Sequence, residues 1–78
     1  MDENLIDQYA FEIFSRAKIF EAEFKVFQAE QTLVMVSGFP NNERNVLLHK
    51  SLVGGEKLKL EKLKSQIEEF RKQKQINN

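Results

Sequence analysis

Apolar positions in the first half of the chain recur at coiled-coil spacing. Ile6, Ala10, Ile13, Ala17, Phe20, Phe24, Phe27, Gln31 and Val34 follow one another at alternating steps of four and three. A repeat of about 3.5 residues nearly matches the helical turn, so it holds one stripe of a long α-helix against a neighbouring helix. A second stripe, Leu60, Leu63, Ile67 and Phe70, runs along the other half. The pattern predicts an all-α fold. Its first helix covers about 3–36, a turn covers 37–42, and the second helix covers about 43–75. So short a connection predicts an antiparallel two-helix hairpin, coiled-coil-like and forming one domain.

Local signals sharpen these boundaries. Asp2 can cap the first helix, and Glu3 and Asp7 suit the positive end of its dipole. Gly38 reads as a left-handed residue just past the helix end, with Phe39 folding back on the last turn and Pro40 forbidding continuation. Asn41 or Asn42 then caps the second helix, and Glu43 sits in its first turn. Gly54-Gly55 is the weak point, since each glycine costs about 1 kcal/mol against alanine inside a helix. Run back from Leu60, the heptad frame puts Glu56 and His49 on the seam and leaves Leu47, Leu48, Leu52 and Leu58 outside it. One helix with an irregularity at 54–55 is the preferred expectation over two helices bent at the glycines. The polar tail 73–78 is expected to fray.

The first helix carries more apolar surface than one partner can cover. Leu5, Ile19, Val26 and Leu33 each precede a stripe residue, while Tyr9, Phe11 and Phe14 widen the arc further. The arc approaches half the helix circumference, wider than a two-stranded seam. A lone hairpin leaves part of this face in water, and each large apolar side chain so exposed forgoes about 1.5–3 kcal/mol of burial. The expectation is dimerisation into a four-helix bundle, or docking on another helical protein. Phe14, Phe20, Phe24, Phe27 and Val34 are the expected interface, with Leu63, Ile67 and Phe70 across from them. Gln31 is the polar member of the stripe. It either sets register or lies wet near an end.

Charge adds a preference without changing this picture. The 78 residues are neutral overall, with 12 basic and 12 acidic side chains. Residues 1–37 hold three basic against seven acidic residues, however, and residues 38–78 hold nine against five. An acidic helix beside a basic one is the simplest arrangement. Each exposed pair contributes only about 0–1 kcal/mol, so charge sets pairing more than stability. There is no cysteine, hence no disulfide or thiolate metal site. No apolar run approaches the ~20 residues of a membrane span. The acidic start, Met-Asp-Glu-Asn, is unlike a signal peptide. A soluble, cytoplasmic protein is the expectation.

No constellation for catalysis, metal or cofactor binding emerges. His49 is the only histidine, and it has no second histidine or cysteine to share a metal with. Gly54-Gly55-Glu56-Lys57 lacks the spacing and the Lys-Ser/Thr end of a phosphate loop. Ser65-x-x-Glu68 matches a capping box but falls inside a periodic helix. The expected function is therefore non-enzymatic, with no small-molecule substrate: a protein-interaction module, acting as adaptor, assembly factor or small chaperone-like subunit through the Phe-rich face. In outline the chain is similar to the helical-hairpin chaperones of bacterial secretion systems and to small phage or plasmid accessory proteins. That likeness is one of size and helix arrangement, carried by no motif. The alternative is a dimeric hairpin regulator binding nucleic acid through the basic second helix, as the plasmid copy-control hairpin proteins do. Glu56, Glu61, Glu68 and Glu69 interleave with its bases, and no aromatic platform accompanies them. Membrane-surface binding is not expected, because the polar face of the first helix is acidic.

Overall fold

The structure, a computed structural model, describes residues 3–76, with side chains described over 5–73. Helix α1 spans Glu3–Ser37 and helix α2 spans Glu43–Ile76. They lie side by side as an all-helical hairpin measuring 62 × 20 × 9 Å. The thin dimension is one helix thick, so the fold is a single layer. No helix among the described residues is long and apolar enough to cross a membrane. Asp2, the proposed cap of α1, lies outside the described residues.

The turn corrects one expectation about backbone conformation. No glycine has positive φ; the left-handed residue is Asn41, at φ 55°. Asparagine tolerates this region because its short polar side chain bonds locally. Helix α1 closes by tightening its last turn, with Gly38 N–H donating to Met35 C=O and Phe39 N–H to Val36 C=O, both at 3.2 Å. Phe39 stays exposed and does not fold back. Asn42 holds the cap position of α2, its carbonyl accepting the first helical bond from Val46 N–H at 3.0 Å. Its side-chain amide reaches across to Val36 C=O at 3.0 Å. One residue thereby joins the end of α1 to the start of α2.

The seam between the helices differs from the stripe that the sequence singles out. On α1 it runs through Glu12, Ser15, Ile19, Ala22, Val26, Ala29, Leu33 and Val36, all half-buried or buried. These also step by three and four, on a face roughly 150° around the helix from the Phe stripe. Ile19, Val26 and Leu33, expected beside the seam, are its large row; Ser15, Ala22 and Ala29 are its small row. The physical reason is room. Two helices packed 8–10 Å apart interdigitate best when small residues alternate with branched ones, and phenylalanine rings hold them apart. On α2 the seam is Val46, His49, Val53, Glu56, Leu60, Leu63 and Ile67. That is the frame run back from Leu60, and it passes through the glycines without a stumble. Helix α2 likewise runs unbroken through Gly54 and Gly55, where an irregularity was expected. It continues past residue 73 to Ile76.

Candidate protein interface

The eight residues expected at an interface divide between two places. Phe14, Phe20, Phe24, Phe27 and Val34 stand on the outer side of α1, pointing away from α2, with Phe20 70% and Phe24 49% exposed. Leu63 and Ile67 belong to the seam. Phe70 closes its open end, its ring 4.6 Å from that of Phe11. The α2 trio therefore does not lie across from the phenylalanines, and it packs the hairpin itself.

The outer stripe is continuous. Ile6, Ile13, Phe20, Phe27 and Val34 form one row at steps of seven, and Phe24 lies beside it, with its ring centroid 6.4 Å from that of Phe27. Tyr9, Phe14 and Met35 flank the row and are also exposed. Phe14 is partly screened by the Lys18 ammonium, 5.5 Å from its ring centre. Gln31 is exposed here as well, away from the seam. The stripe is an apolar ridge with ion pairs at its margin: Glu21 meets Lys18 at 3.9 Å and Lys25 at 3.7 Å.

Sequence reasoning passed over a second outer patch as a misfit in the frame. Leu47, Leu48, Leu52 and Leu58 are all exposed on α2, away from α1. Gly54 and Gly55 sit among them, and a Cβ added at either meets nothing within 4 Å. The heptad frame contained the signal, since leucines excluded from one seam must face another surface. A leucine-and-glycine patch on α2 thus complements the aromatic stripe on α1.

Cross-helix electrostatics concentrate at the open end. Arg71 holds Glu12 in a two-point bond, Nε donating to Oε1 at 2.9 Å and Nη2 to Oε2 at 2.8 Å, while Nη1 donates to Glu68 at 2.9 Å. The Arg71 hydrogen bond lowers the Glu12 carboxyl below the ordinary glutamate range. In turn, the bonds that Arg71 donates to Glu12 and then to Glu68 raise its own pKa. Glu56, half-buried at the seam, pairs with Lys59 on its own helix at 3.6 Å. His49 is half-buried at the seam. Among the described residues no group of three or more His, Cys, Asp or Glu side chains is placed to hold a metal ion. Shallow hollows lie beside the turn and between Lys18, Lys25 and Lys59.

The class this geometry defines is an antiparallel helical hairpin with its large aromatic surface turned outward. Compared with family models, curated proteins and solved structures, the chain matches none.

Proposed function

We propose that the protein is a non-enzymatic interaction module, an adaptor, assembly factor or chaperone-like subunit, whose working surface is the outer stripe of α1. We propose further that the stripe is covered by a second copy, giving a four-helix assembly with the two α1 helices at its centre and an α2 on either side. The observation that carries this is the exposure of Ile13, Phe20, Phe24, Phe27 and Val34 in one continuous stripe. Monomeric soluble proteins seldom leave so long an apolar patch in water.

Surface area supports association. The chain exposes 6666 Å². A compact monomer of 9.2 kDa is expected to expose about 4,900 Å². The excess of about 1,700 Å² per chain is what an obligate dimer interface buries from each partner.

Light scattering on the wild type tests the reading, and it should give twice the chain mass. Phe24→Asp should convert the particle to a monomer, because assembly would bury an unpaired charge. Retention of the dimer mass and full helicity by that variant would overturn the assignment of the stripe.

A second reading draws on one observation. Lys50, Lys57 and Lys64 stand exposed at steps of seven on α2, a basic row that a nucleic-acid backbone could follow. It is the weaker reading, since Arg71, the next in the row, is occupied by Glu12 and Glu68. Titration with duplex DNA and RNA at low salt tests it. A complex that dissolves steeply with salt favours it, and no binding removes it.

A further inference from the structure

We infer that the second copy lies antiparallel, α1 against α1, with the two-fold axis midway between Phe20 and Phe24. This rests on the reading that the stripe is an association surface, and it specifies how two stripes fit.

The stripe is lopsided in volume. One of its two rows carries Ala10 and Ala17 in the N-terminal half but Phe24 and Gln31 in the C-terminal half. The other row is large throughout: Ile6, Ile13, Phe20, Phe27 and Val34. Two copies running the same way would set Ala10 on Ala10 and Ala17 on Ala17, leaving gaps, and would crowd three successive layers with paired phenylalanines. Gaps and overpacking both destabilise a core. Reversing one copy sets Ala10 opposite Val34, Ile13 opposite Gln31, Ala17 opposite Phe27 and Phe20 opposite Phe24. The Ala10–Val34 and Ala17–Phe27 layers then pair a small residue with a larger one, and the aromatic bulk gathers in the two central layers. Alternation of large and small across facing positions is how helical cores fill space.

The margins are mixed in this register. On one side Arg16, exposed, comes beside Glu30 of the second copy, also exposed, while Glu23 meets its own copy near the axis. On the other side Phe14 comes beside Gln28 and Met35 of the second copy, which extends the apolar contact. Glu21 meets its own copy near the axis, where Lys18 and Lys25 already neutralise it. The excess surface of each chain is of the size such a contact would remove.

The chain contains no cysteine, so single nitroxide labels can be placed cleanly. Asp7, Glu21 and Gln28 lie on one margin of the stripe, at steps of seven or multiples of it. In the antiparallel dimer the labels of Glu21→Cys fall within about 20 Å of each other, one interhelical spacing plus two linkers. Labels of Asp7→Cys lie about 45 Å apart, from about 30 residues of axial offset at 1.5 Å each. Short distances at both sites mean a parallel pair and overturn the inference. Long distances at both mean that α1 is not the contact, and also overturn it. If Glu21→Cys weakens assembly, Gln28→Cys replaces it, with an expected axial offset of about 18 Å. A monomeric wild type removes this inference together with its parent reading. A dimer with the wrong distances removes the antiparallel register alone.

Discussion

Ser15 is the least contented residue of the hairpin. It is 1% exposed toward the open end of the α1 seam, and its hydroxyl has no hydrogen-bond partner. Elsewhere in the same helix Thr32 and Ser37 donate back to the carbonyl four residues earlier, at 3.0 and 2.7 Å. A buried hydroxyl left unpaired costs about 1–3 kcal/mol. Ser15→Ala removes that cost, keeps the small volume that the seam needs and raises helix propensity. It should stabilise the protein by about 1 kcal/mol in urea denaturation; a lower midpoint would show that the hydroxyl is satisfied in solution. Glu12 makes a second prediction at this scale. Its carboxyl is lowered by Arg71, so the pair contributes stability above the ordinary glutamate range and loses it as pH falls through the lowered value. Glu12→Gln should therefore melt below wild type at neutral pH, and the two curves should converge on acidification. A difference that persists undiminished at low pH would assign the effect to packing.

At the scale of elements, the glycines of α2 are the informative oddity. Gly54 and Gly55 are helical, have negative φ and face open space, so nothing within the hairpin requires them. Gly54→Ala and Gly55→Ala should each stabilise the helix by about 1 kcal/mol, read as a rise in the thermal midpoint by circular dichroism. Loss of stability or of assembly would instead show another backbone approaching that face. Helix number, lengths and antiparallel return were legible in the sequence because Pro40, Asn42 and the heptad spacing act locally. The seam was not, because α1 carries two heptad stripes of equal regularity. Periodicity reports that a face is apolar, and only volume says which partner it accepts. Ser15, Ala22 and Ala29 at steps of seven were the available signal. They are small, and smallness marks close helix approach where Phe20 and Phe27 mark a wider one. On α2 the frame read back from Leu60 was sound, and the polar His49 and Glu56 made it look broken. The turn misled for a related reason: glycine is the usual left-handed residue, but here Asn41 takes that conformation two residues before α2 begins.

For the whole molecule, the shape is that of a thin layer whose apolar edge is uncovered. The Cα radius of gyration is 18.0 Å, against about 11–12 Å for a compact chain of this length. Only Val26, Val53 and Ile67 are buried hydrophobic residues among those described, and small domains with so little interior need association to hold them. If another copy covers that edge, folding and assembly are one equilibrium, and the melting temperature must depend on concentration. Each tenfold dilution removes about 1.4 kcal/mol per dimer, or about 3–6 °C at this size. Wild type should show that slope. Phe24→Asp should melt lower with none, because its transition no longer includes dissociation. Ser15→Ala, altered inside the hairpin, should keep the slope and shift the whole line upward. A wild-type transition that does not move over a hundredfold range of concentration would mean that the single layer is stable alone, and the outer stripe would then have to be vacant in the resting protein and filled by a different chain.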